Sequence, residues 1–175
     1  AVHDLTLKSL DLSYAISFLI IAGIMGVSHT FAPFFFGKQY NQVSNLMFIQ
    51  AIMIIFVAIA SVLGNQYLLS ARRTKEFAIS SLCGLVVNVF LNLLLIPQMG
   101  AMGAVISTVC TEIATTSYQL WVLRKTFSLR EVFSGIWKYM VGGLAVFVPC
   151  MFFIIKLPLG FLIFLFKTLL AIRIM

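Results

Sequence analysis

Acidic residues are scarce in this chain: five Asp and Glu stand against 12 Lys and Arg, and all charged residues together make up 10% of 175 positions. Soluble domains carry about 25% charge and roughly 45–50% apolar residues, whereas 62% of this chain is hydrophobic. A fold in water has no means of hiding that much oil. With only two His and three Cys, the reagents for hydrolytic or metal chemistry are thin. No P-loop, HExxH or nucleophile elbow is present, which argues against an enzyme, a bound cofactor and a metal centre. Cys83, Cys110 and Cys150 lie inside apolar runs without CxxC spacing and read as small packing residues.

What the chain does have is long apolar runs, near residues 14–36, 46–63, 77–96, 101–123, 139–155 and 157–172. A membrane-spanning helix needs about 20 apolar residues, so the expected fold is all-α. The expectation is one polytopic bundle over residues 1–175, with about six spans in a plasma membrane. Barrel strands would alternate in polarity over about ten residues, and none of these runs does. The last run is the weakest, since Lys167 interrupts it and Lys156-Leu-Pro-Leu-Gly160 is a short turn. Breaks elsewhere are expected at Gly37 to Gln42, Ala71 to Glu76 and Pro97 to Gly100. Pro149, following Gly142 and Gly143, predicts a kink in the fifth helix.

The net charge of +7 falls in clusters between the runs, which points to topology and away from nucleic acid. Lys8, Arg72, Arg73, Lys75, Arg124, Lys125, Arg130, Lys138 and Arg173 fall on one side of the alternating pattern. Only Lys38 and Lys156 fall on the other. Nine against two predicts that this richer side, with both termini, faces the cytoplasm. The opening AVHDLTLKSLDLS is too acidic and polar for a secretory signal. A start at Ala1 and a stop at Ile174-Met175 without a polar tail lead us to expect a fragment.

Polar groups inside spans are costly in hydrocarbon and therefore informative. Glu112 is the one carboxylate in any expected span; it either faces a polar cavity or cation site, or bonds to a neighbouring helix. Gly103, Ser107, Thr111, Thr115 and Gln119 recur every four residues, and Thr108, Glu112 and Thr116 form the adjacent row. Such a stripe suits close helix packing or an aqueous groove. Ser81, Gly84, Asn88 and Asn92 repeat the theme one helix earlier, and Gln50, Ser61 and Asn65 two helices earlier. The asparagines favour interhelical bonding. His29, between Ser28 and Thr30, reads as an interfacial residue and not a ligand.

The segment Asn88 to Thr108, NVFLNLLLIPQMGAMGAVIST, combines an asparagine-bearing apolar helix, an Ile-Pro-x-x-Gly-x-x-Gly turn and a small-residue helix start. This resembles the polysaccharide flippases of the multidrug/oligosaccharidyl-lipid/polysaccharide exporter superfamily. The stretch from Gly26 through Phe34-Phe-Phe-Gly-Lys-Gln-Tyr40 and the basic Ala71 to Glu76 loop extend the likeness over about residues 13–125. The resemblance implies export of an undecaprenyl-linked oligosaccharide for capsule, O-antigen or other envelope polysaccharide, alongside glycosyltransferase or polymerase partners. Asn88, Asn92, Pro97, Gly100, Gly103 and Glu112 match the recurrent pattern, the proline and glycines as a structural turn. Gln50, Thr108, Thr111, Thr115 and Gln119 join Asn88, Asn92 and Glu112 as expected lining of the substrate path. Family members are usually more than twice as long, so the chain would supply the last part of one. Two alternatives stay open: a non-transporting membrane subunit, and an ion-coupled multidrug exporter using Glu112.

Overall fold

Helices begin almost at the first residue. The structure, a computed structural model, describes residues 2–37, 39 and 41–156, with only the backbone at Thr30, Phe34, Asn41 and 149–156. The elements are α1 (Val2–Phe36), α2 (Asn41–Ala60) running into a π-helical segment (Ser61–Leu68), α3 (Thr74–Met99), α4 (Ala101–Leu123), α5 (Leu129–Phe133) and α6 (Ile136–Lys156). Among the described residues there is no strand. The expected sixth helix at 157–172 lies outside the described residues, as do the side chains of Pro149 and Cys150.

Several boundaries differ from those expected, each for a physical reason. The first helix starts 12 residues before position 14, because the polar opening carries an inward face at helical spacing that begins with Thr6. Leu10 and Tyr14 are buried while Leu5 and Leu12 are exposed. The second runs on past 63 as π-helix to Leu68. Pro97 does not open a loop. A proline fits the helical φ, and although it removes one intrahelical bond and crowds the carbonyl four residues back, α3 continues two residues past it to Met99 and the break is a single residue, Gly100. Gly100 has φ 57° and ψ −131°, a conformation open to glycine and costly for other residues.

Neighbour relations order the helices. α1 packs on α2 and on α6, α2 also on α4, and α4 also on α3. The fourth helix thus lies between α2 and α3, although α3 precedes it in the chain. Gly103 permits the close approach at the hairpin, since a Cβ there would strike the carbonyl of Leu95.

The distribution of side chains is the reverse of a water-soluble protein. Large apolar residues point outward, with Leu93 72%, Phe90 62% and Leu82 58% exposed on α3, while Ser17, Ser28, Ser80, Ser107, Thr116 and Gln119 are buried. Contiguous exposed apolar surface on this scale is untenable in water, and small polar residues at helix contacts are the pattern of bundles in lipid. Among the described residues, four helices are long and apolar enough to cross a membrane, over Val2–His29, Gln42–Leu68, Thr74–Met99 and Leu129–Val148. The 23 residues of α4 would span about 34 Å at roughly 1.5 Å per residue, long enough for a hydrocarbon core of about 30 Å. Glu112 and its hydroxyl-bearing neighbours leave it less apolar than the other four.

A compact apolar cluster sits at one end. Leu10 and Tyr14 of α1, Val62, Leu63 and Leu68 of the π-segment, Leu123, Phe127 and Val132 meet there. The Tyr14 hydroxyl donates to the Val132 carbonyl at 2.9 Å, and His3 stacks on Phe127 with ring centres 4.7 Å apart. These contacts gather the start of α1, the end of α2, the end of α4 and the start of α6. Lys8, the Arg72-Arg73-Lys75 turn, Arg124, Lys125, Arg130 and Lys138 therefore share one end of the bundle.

Candidate functional site

The two polar rows of α4 face different surroundings. The first is locked against α3. Asn88 donates through Nδ2 to Thr111 Oγ1 at 3.0 Å, and Asn92 donates to Asn88 Oδ1 at 2.9 Å. Thr111 in turn donates to the Ser107 carbonyl at 2.8 Å, and Ser107 to that of Gly103 at 2.8 Å. One turn further on, Thr115 lies against Gly84, where a Cβ would collide with its Oγ1. Gln119 donates to Ser80 Oγ at 3.2 Å, and Ser80 to the Phe77 carbonyl at 2.7 Å. The result is a ladder of short polar contacts along most of the α3–α4 seam.

Glycine spacing makes the ladder possible. Gly84 on α3 and Gly103 on α4 remove the Cβ atoms that would hold the backbones apart. At the basic end Gly64 does the same for the π-segment, since a Cβ there would lie 2.7 Å from Gln119 Nε2 and 3.0 Å from the Phe77 ring. Two buried acceptors on the ladder, Asn92 Oδ1 and Gln119 Oε1, have no donor among the described residues.

The second row has one tie to another helix. Thr116 donates to the Phe56 carbonyl of α2 at 3.1 Å. Thr108 bonds only its own helix, to the Ala104 carbonyl at 2.9 Å. Glu112 is partly buried, and among the described residues it has neither a hydrogen-bond donor nor a cation beside it. A carboxyl with free acceptor sites between a locked row and the α2 contact can accept hydrogen bonds from hydroxyls or water, or hold a cation.

Of the residues expected to line a path, the structure brings together Asn88, Asn92, Thr111, Thr115 and Gln119 in the seam. It leaves Thr108 and Glu112 beside it. Gln50 stands apart, exposed on α2 and in none of these bonds. Pro97, Gly100 and Gly103 form the turn that brings α4 back along α3. A shallow cavity of about 420 Å³ opens at the end remote from the basic cluster, lined by His29, Asn45, Phe48, Ile49 and Met102. Asn45 and Met102 carried no spacing signal in the sequence. Comparison of the chain with family models, curated proteins and solved structures returns no match.

Proposed function

We propose that this chain is a transmembrane component of a flippase that carries undecaprenyl-linked oligosaccharide across the cytoplasmic membrane for envelope polysaccharide. In this reading α4 crosses the membrane as a fifth span, the run at 157–172 completes six, and the basic end with both termini is cytoplasmic. The observation that carries it is the division of polar groups on α4. One row is spent largely on α3, while Glu112, and Thr108 as an acceptor, keep hydrogen-bonding capacity that is unused among the described residues. Hydroxyl-rich sugar heads bond well to such groups, and lipid tails would stay against the exposed apolar faces. Similarity of Asn88 to Thr108 to the polysaccharide flippases supports the same substrate class.

The test is reconstitution of the full-length flippase containing this chain in vesicles carrying a fluorescent lipid-linked oligosaccharide, with transfer between leaflets measured by quencher protection. Transfer is expected, and Glu112→Gln should slow it about tenfold, the loss expected when a charge-assisted bond of roughly 1.5 kcal/mol is removed. Equal rates for the variant would take Glu112 out of the path. A second reading has its own support, since Asn88, Asn92, Thr111, Thr116 and Gln119 all bond within the bundle, as a purely structural stripe would. A chain that inserts but neither binds nor moves the lipid-linked sugar would favour that non-transporting role.

A further inference from the structure

The segment from Leu123 to Val141 has two faces of opposite purpose. Leu123, Phe127 and Val132 are buried in the apolar cluster, and Ile136 and Tyr139 pack against it. These anchors fix what points outward. Leu129, Phe133, Trp137 and Val141 recur every four residues and are 58%, 37%, 68% and 61% exposed. Beside them Arg124, Lys125, Arg130 and Lys138 are all exposed, and none is in an ion pair among the described residues.

Of the acids nearby, Glu131 and Asp4 are already engaged, while Asp11 is exposed and in no ion pair among the described residues. Glu131 accepts from the Ser128 backbone N–H at 2.9 Å, closing a capping box on α5, and its other neighbour is His3 at 3.8 Å. Asp11 lies against Gly135, where a Cβ would strike its carboxylate, and Asp4 lies beside His3 at 3.7 Å. Arg124 lies over the Trp121 ring, 5.3 Å from its centre, with Trp121 itself 58% exposed.

We infer that this corner is a binding surface for anionic phospholipid headgroups. An outward apolar stripe sits at acyl depth, tryptophans take the interface, and four cations in no ion pair among the described residues lie at phosphate level, outnumbering the acids beside them. That layering matches a negatively charged leaflet in depth and in sign. Zwitterionic headgroups would satisfy the stripe and leave the cations without counterions. The inference rests on membrane insertion with this end at the headgroups, and it is independent of transport.

Trp121 and Trp137 are the two tryptophans of the chain, so selectively excited tryptophan fluorescence reports on this corner alone. The chain would be inserted in vesicles of phosphatidylcholine and phosphatidylglycerol, with bromine on the acyl chains of one lipid or the other, and quenching compared at equal mole fraction. Preference for brominated phosphatidylglycerol should be about fivefold, the order expected for basic side chains at an anionic surface. It should fall toward unity in 1 M salt, as screening requires (a Debye length of about 3 Å). Arg124→Gln/Lys125→Gln/Arg130→Gln/Lys138→Gln should abolish it while quenching by brominated phosphatidylcholine persists. If that variant fails to insert, Arg130→Gln/Lys138→Gln should weaken the preference by half or more on a logarithmic scale. Equal quenching by the two lipids in the unmodified chain would overturn the inference, as would a preference that survives both salt and neutralisation.

Discussion

At Gly84, α3 and α4 approach each other through a missing side chain. A methyl placed there meets Thr115 Oγ1 head-on and lies 3.3 Å from Thr111 Cγ2. Thr115 is confined to two main χ1 rotamers within a helix, so relief requires a switch between them or a parting of the helices. Gly84→Ala should therefore cost about 1–3 kcal/mol, the range for overpacking a close contact, despite the better helix propensity of alanine by roughly 0.8–1.0 kcal/mol. Thr115→Ala should cost little by itself, because its hydroxyl makes no hydrogen bond among the described residues. In the double variant the obstacle is gone and the remaining Cβ lies at 3.7 Å, an ordinary contact, so most of the cost should be recovered. Reversible unfolding in mixed micelles would measure all four corners of this cycle. A neutral Gly84→Ala, or a cost that the second substitution leaves untouched, would refute the close approach of the two helices.

Two further predictions concern the ends of the bundle. Tyr14→Phe removes the bond to the Val132 carbonyl and should destabilise by about 1 kcal/mol, seen in the same unfolding measurement and as faster proteolysis between Arg124 and Lys138. Gly100→Ala forces a side chain into a conformation costing about 1–3 kcal/mol and should lower the midpoint of unfolding, whereas Gln98→Ala beside it should not.

Much of the helical layout was readable from hydropathy, and α4 was bounded at 101–123 because Gly100 and Arg124 both end apolar runs sharply. Its two polar rows were equally visible, since spacing by four is a property of the chain. Which neighbour each row meets was not visible, because that depends on α4 inserting between α2 and α3. For the same reason neither the contact of Thr115 with Gly84 nor the place of Gln50 outside the α3–α4 seam was visible. Hydropathy also hid the first turns of α1. His3 and Tyr14 take their meaning from Phe127 and Val132, more than a hundred positions away, which no local pattern reports. The π-helical end of α2 has no signature in residues 61–68; its packing around Gly64 and Gln119 is a tertiary matter.

Everything proposed about transport depends on α4, the most polar of the long helices, threading the bilayer under cover of α2 and α3. Single cysteines introduced as Gln98→Cys and Lys125→Cys, in a background with Cys83, Cys110 and Cys150 changed to Ser, bracket that helix. With a membrane-impermeant maleimide on intact cells, the account predicts that Gln98→Cys is labelled at once and Lys125→Cys only after permeabilisation. Labelling of both positions from the same side would contradict it.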